Sequence, residues 1–218
     1  MNQRWNIQCL DSFQLKCIAI VSMALDHTGT VLYPSQIWLR CLGRIAFPIF
    51  CFLIVEGFFH THDVRRYMGR LGVFALISEI PYDLAFRGVP LEYAHQNVFF
   101  TLLIGIGMMV LLERNREWPV KAVILLLAMW LAVLIRSDYN FRGVLLIFVF
   151  YIFHESRWLA VTAGGFWNFL YQGVIQKYGV LSVLPLALYN GERGRKMKYF
   201  FYIFYPVHLL LLYGISRF

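Results

Sequence analysis

The chain is short of charge. Of its 218 residues, 15% are Asp, Glu, Lys or Arg, against about 25% in a typical soluble domain, which excludes an ordinary water-facing globule. It is also short of punctuation. No linker, low-complexity tract or internal repeat interrupts it, so residues 1–218 read as one domain. The four cysteines, Cys9, Cys17, Cys41 and Cys51, form no C-x-x-C pair. Neither a disulfide framework nor a zinc site is indicated, no metal is expected, and the thiols read as small apolar residues. There is no glycine-rich phosphate loop. No small-residue cleavage site follows a short apolar core near the start, so the first apolar run reads as a full crossing and not as a signal peptide.

What the chain does have is apolar length. It is 60% hydrophobic and 18% aromatic, and these residues fall in nine runs: 12–33, 37–60, 68–87, 97–113, 118–135, 141–154, 157–173, 178–190 and 199–217. Each is near the roughly 20 residues that cross a bilayer's hydrocarbon core. The run 141–154 is short and 157–173 is interrupted by Gly164-Gly165, so eight to ten spans fit. The expected fold is all-α, a polytopic transmembrane helix bundle of about nine spans joined by short loops.

The net charge of +8 follows the loops and does not point to nucleic acid. Arg65, Arg66 and Arg70 follow span two. Arg114, Arg116 and Lys121 follow span four, Arg157 follows span six, and Arg193, Arg195, Lys196 and Lys198 follow span eight. The loops between carry fewer cations: Arg87, then Arg136 and Arg142, then Lys177. By the positive-inside rule the even loops and the N-terminus are cytoplasmic. The expected location is the cell's inner membrane, with lipid as the surroundings.

Ionisable groups inside spans are costly and are functional candidates by default. Span one holds Lys16 and Asp26-His27, span two Arg44 and Glu56, span three Glu79 and Asp83, and span nine His208. Lys16 and His27 are eleven positions apart, close to three helical turns. They therefore share a face, about 16 Å apart along the axis. Histidine is the side chain suited to proton transfer near neutral pH, while a lysine near the end of a span also fits simple snorkelling. Asp26 cannot orient His27, because adjacent helical residues point about 100° apart. The orienting group must come from another helix, and depth makes Asp83, Arg44 and Asn97 the candidates. Pro48 displaces the carbonyl of Arg44, which predicts a polar break in span two. Pro81 and Pro206 predict similar kinks beside Asp83 and His208. Tyr205 and His208 share a face of span nine.

These segments together resemble the TraX family, named for a conjugative-plasmid protein that acetylates the N-terminus of pilin. The matching pieces are Lys16-Cys-Ile-Ala-Ile-Val-Ser-Met with Asp26-His27, and Leu39-Arg-Cys-Leu-Gly-Arg-Ile-Ala-Phe-Pro-Ile-Phe50. They continue with Glu56-Gly57-Phe58, His60-Thr61, Tyr67-Met-Gly-Arg-Leu71, Ser78-Glu-Ile-Pro-Tyr82, Asn97-Val98-Phe99 and Tyr205-Pro206-Val207-His208-Leu209. The likeness is dense over 15–105 and returns at the end; residues 110–195 match only as apolar spans. The family is in turn distantly similar to the acyltransferase-3 transmembrane acyltransferases, whose first span carries a basic residue, ten intervening residues and a histidine. Lys16 and His27 have that spacing, with lysine where arginine is usual.

The resemblance implies transfer of an acyl group, acetyl in the named family, from acetyl-CoA or another acyl-CoA. The acceptor would be an amine or hydroxyl: the pilin N-terminus in that family, or a glycan or peptide. Lys16, Arg65, Arg66 and Arg70 are the expected donor contacts, since guanidinium forks suit phosphate. The expected catalytic set is His27 as general base, with Asp26, Asp83 and His208 as supporting candidates and Arg44 stabilising the oxyanion. Direct transfer is expected, and an acyl-histidine route is the alternative. The competing function is a proton-coupled transporter using the same buried ionisable residues; a structural scaffold explains those residues poorly.

Overall fold

The computed structural model describes residues 8–170 and 173–218, except for the side chain of Lys198. Within these the chain is all-α and has no named strand. Its elements are α1 (Ser12–Val31), α2 (Ile37–Gly43), α3 (Ala46–Phe59), α4 (Val64–Arg87), α5 (Val98–Arg114), α6 (Trp118–Leu134), α7 (Asn140–Ile152) and α8 (Arg157–Leu170). A 3-10 segment (Gln176–Ser182), α9 (Val183–Ala187) and α10 (Lys198–Ile215) complete the set. One stretch, Ile37–Phe59, is apolar and long enough to cross a membrane by length and composition alone; Trp118–Leu134, Asn140–Ile152 and Tyr199–Ile215 are apolar but shorter.

Local chemistry explains the starts and stops. Asp11 accepts from the Gln14 amide at 2.8 Å while the Gln14 side chain accepts from the Asp11 amide, a capping box that opens α1. Asp63 caps α4 through the Arg66 amide, and Gly88, at φ 75°, ends it. Span two breaks at Arg44-Ile45. Pro48 then falls in the first turn of α3, where a missing amide hydrogen costs least.

Two expectations from sequence need correcting. Gly164-Gly165 does not interrupt its helix: α8 runs unbroken from Arg157 to Leu170. The pair is a packing surface, because a Cβ at Gly164 would strike the Phe150 ring and one at Gly165 would strike Val183. The eighth run is not an α-helical span. It is a 3-10 segment followed by a five-residue helix. At about 2.0 Å per residue the 3-10 stretch covers more distance than an α-helix of equal length. Twelve residues thus reach from Gln176, beside Arg44, to the neighbourhood of Tyr189, beside Leu10.

The bundle has two ends. At one, Leu10 pairs with Tyr189, and the Ser12 amide donates to the Glu192 carbonyl at 2.8 Å. At the other, Gln96 pairs with Ser137, and Arg217 reaches the Gly88 carbonyl. The start of α1 and the end of α10 therefore lie at opposite ends, as an odd number of traverses requires.

The helix sides exposed to the surroundings are largely apolar. Val73, Leu76, Ile77 and Ile80 face outward on α4, Leu126, Leu127, Trp130 and Leu134 on α6, and Phe166 and Phe169 on α8. On α6 the buried residues are only Ile124, Ala128 and Ala132, one per turn. Small residues at that contact let helix backbones approach closely. The buried polar side chains, Asp26, Asp83, Asn97, Asn168, Gln176 and His208 among them, lie inside.

Candidate active site

A cavity opens at the end of the bundle that holds Leu10 and Tyr189. It has a volume of about 640 Å³. Its cationic lining is Lys16 from α1, Arg66 and Arg70 from α4, and Arg193 from the segment before α10. Lys16 sits 5.7 Å over the Phe201 ring, and Arg70 lies 5.7 Å over Tyr67. Gly57 makes room for Tyr67, whose hydroxyl would lie 3.0 Å from a Cβ there. The acidic lining is already engaged. Asp63 pairs with Arg66 at 2.9 Å, and Glu56 accepts from the Tyr189 hydroxyl at 3.2 Å. Arg65 is exposed and does not line the cavity. Arg193, which from sequence was only one of several topology-setting cations, does.

Phe99 and Tyr202 form part of the cavity wall. The Phe99 ring meets Tyr205 edge-on at 5.1 Å, and Tyr205 flanks both His27, at 6.0 Å, and His208, at 5.7 Å. One aromatic layer therefore stands between the cavity and the histidines.

Beyond it, the structure brings together two of the candidates that sequence had to leave apart. His27 on α1 and His208 on α10 share a hydrogen bond of 2.7 Å between His27 Nδ1 and His208 Nε2. Their planes differ by 7° and their centroids are 4.9 Å apart. That separation is the N–N distance plus the two ring radii, so the rings meet edge to edge and not face to face. Phe86 packs edge-on against His27 at 5.2 Å. His208 is buried, whereas His27 keeps accessible surface, and among the described residues nothing bonds its Nε2.

Asp26 turns the other way. Its carboxylate forms an ion pair with Arg44, whose second terminal nitrogen donates to Gln176 at 3.1 Å. Helix α2 approaches so closely that a Cβ on Gly43 would lie 2.6 Å from the Asp26 Cα. Gly179 of the 3-10 segment fits against the Arg44 carbonyl and the Asn168 amide. Arg44 thus ties α1, the α2–α3 break and the 3-10 segment together, and its open donor is the buried Nε. Asp138, in the turn before α7, keeps open surface, yet the surrounding protein displaces enough water to push its carboxyl up to about 6. Arg44 opposes that rise and Asp26 adds to it.

Asp83 and Asn97 are occupied elsewhere. Asp83 accepts from the Glu92 amide at 2.8 Å and anchors the 88–97 loop. Asn97 caps α5 and bonds Glu79 and the Ala75 carbonyl. The partner that reaches His27 from another helix is His208.

A protein from Dichelobacter nodosus named "Probable fimbrial assembly protein FimC, serogroup H1" is 30% identical over 95% of this chain and 96% of its own length. "Protein TraX" from Escherichia coli is 31% identical over 66% of this chain and 56% of its own length. No solved structure matches. The family model described as TraX protein matches residues 12–216, from the first residue of α1 to just past the end of α10, and with that extent of agreement the chain belongs to the TraX family.

Proposed function

We propose that this protein is a multi-pass inner-membrane acyltransferase. It moves an acyl group, acetyl by family analogy, from cytoplasmic acyl-CoA to an amine or hydroxyl acceptor that arrives from the opposite end of the bundle. The observation that carries this reading is the cationic cavity, separated by a single aromatic layer from a hydrogen-bonded histidine pair. The outward apolar faces of α4, α6, α8 and α10 and the inward polar groups support the membrane setting. The cavity lies at the end rich in basic loops, where a donor made in the cytoplasm enters.

Lys16, Arg66, Arg70 and Arg193 hold the donor's phosphates, the three arginines by forked contacts. The pantetheine arm threads past Phe99 and Tyr202 and delivers the thioester beside His27. The acceptor's nitrogen or oxygen attacks the thioester carbonyl while His27 Nε2 takes its proton. The new C–N or C–O bond forms as the C–S bond breaks, and His27 returns the proton to the departing thiolate. The name of the Dichelobacter relative favours a surface-fibre subunit as the acceptor.

The test uses the detergent-purified protein. Acetyl-CoA should raise its unfolding temperature, and labelled acetyl should move to an added amine or hydroxyl acceptor. Neither effect is expected of a proton-coupled transporter of another solute, and their joint absence sinks the reading.

A further inference from the structure

From the geometry we infer that His208 is not a second base but the positioning residue that locks His27 in the tautomer presenting a bare Nε2. The inference rests on His27 being the base of the proposed transfer, but the tautomer itself is a property of the resting protein.

The chain of reasoning starts on α10. His208 Nδ1 lies 2.8 Å from the Phe204 carbonyl. A carbonyl oxygen only accepts, so Nδ1 of His208 carries the hydrogen. In the neutral ring, Nε2 of His208 is then a lone pair. His27 Nδ1, 2.7 Å away and in the same plane, can satisfy it only by donating. His27 therefore holds its hydrogen on Nδ1 and presents Nε2 unprotonated. A neutral histidine has one donor and one acceptor, so a single carbonyl at Phe204 sets the state of a nitrogen two rings away.

Packing makes the lock rigid. Phe204 lies nearly parallel to the His208 ring, at 14° and 4.9 Å, and Tyr205 meets both imidazoles at steep angles. Phe86 closes the His27 side. Among the described residues, the charged group that acts on His27 is Arg44, at the α2–α3 break, and it is held by Asp26. His208 itself has both nitrogens engaged and is buried, so it has no atom to offer an acceptor. When His27 Nε2 takes a proton, its Nδ1 hydrogen already points at His208 Nε2. The positive charge that forms on His27 is then eased by that hydrogen bond, while His208 keeps its own hydrogen on the Phe204 carbonyl.

The same division of labour, one histidine reacting and a second group fixing its tautomer, operates in serine proteases, where a buried carboxylate does the fixing. Here the fixing group is neutral. That suits a site surrounded by aromatic rings, where an uncompensated carboxylate would be costly.

The experiment reads ring tautomers directly. In full-length protein labelled with ¹⁵N-histidine, long-range ¹H–¹⁵N correlation near neutral pH should give His27 a protonated Nδ1 and a bare Nε2. His208 should show the same pattern. The His27 signal is assigned by its loss in His27→Gln. A protonated Nε2 on resting His27 overturns the inference whether or not the protein transfers acyl groups. In the activity arm, His208→Ala should lower kcat by roughly 10²-fold, the lower end of what general-base catalysis contributes, with KM for acetyl-CoA unchanged. His208→Gln keeps an acceptor for His27 and a donor for Phe204 and should recover to within about tenfold of wild type. Equal loss in the two variants, with wild-type unfolding temperatures, overturns the positioning role while leaving His27 as the base. Failure of His27→Ala to affect transfer counts instead against the proposed function.

Discussion

Asp26 and His27 are adjacent in the chain and turn to different partners. Asp26 is turned toward α2, where Arg44 closes on it and Gly43 leaves no spare volume. His27, about 100° further round the helix, meets one partner on α10 and leaves its other nitrogen open. One residue is consumed by the fold, and the other keeps a free nitrogen, which the proposed function puts to chemistry. A buried ionisable group is thus not by itself a mark of catalysis; what separates the two is whether any atom remains unengaged and reachable. Four ways of breaking that contrast follow from it.

The largest expected effect is on turnover. His27→Ala should reduce acyl transfer by about 10²–10⁴-fold while leaving the unfolding temperature and acetyl-CoA binding close to wild type. Near-normal transfer would make His27 a packing residue. Asp26→Asn should show the mirror image. Removing one member of a buried ion pair costs about 3–5 kcal/mol, so thermal stability should drop sharply, while kcat of the molecules that remain folded changes only a few-fold. Should Asp26→Asn instead kill transfer without lowering stability, the contrast is wrong and Asp26 belongs to the reaction.

The cavity should respond through affinity alone. Arg66→Gln with Arg70→Gln should raise KM for acetyl-CoA about tenfold and leave kcat unaltered, as expected when binding equal in ground and transition states is removed. The gap from wild type should narrow in high salt, where charge contacts are screened. Unchanged KM reduces the pair to a topology signal. The smallest effect concerns Asp138, whose carboxyl is raised from 3.8 to about 6 in the folded chain. The folded state therefore holds that proton more tightly than the unfolded one, and stability is lost as pH climbs through this window. Asp138→Asn escapes the loss. It should melt slightly higher than wild type at pH 7 and match it at pH 4, as measured by thermal scans in buffered detergent.

Much of the scaffold was legible because membrane-type sequences write helices as apolar runs. The break at Arg44 could be read from Pro48, and the two-endedness from loop cations. The eighth run misled, because apolar length says nothing about whether a buried segment winds as an α-helix or a 3-10 helix. Gly164-Gly165 misled for a related reason: glycine signals either a weak helix or a close contact, and only Phe150 and Val183 decide between them. In the site, the shared face of Lys16 and His27 is local geometry and was accessible. The His27–His208 bond joins residues 181 positions apart, which no periodicity encodes; the Tyr205-Pro206-Val207-His208 segment was its only trace. Asp83 was drawn toward the site by depth alone. Its carboxyl proves to organise the 88–97 loop, where a backbone amide wanted an acceptor.

The aromatic layer of Phe99, Tyr202 and Tyr205 matters beyond the reaction. On the proposed function, the protein meets one reactant from each face of a membrane, like two half-pores placed end to end, and an energised cell cannot tolerate a wire of water between them. Rings that bear no group ionising near neutral pH interrupt such a wire. In the proposed transfer, the donor's own arm plugs the gap it opens as it passes them. On that reading, trimming any of these rings to alanine should let protons leak across the membrane as well as slow the transfer.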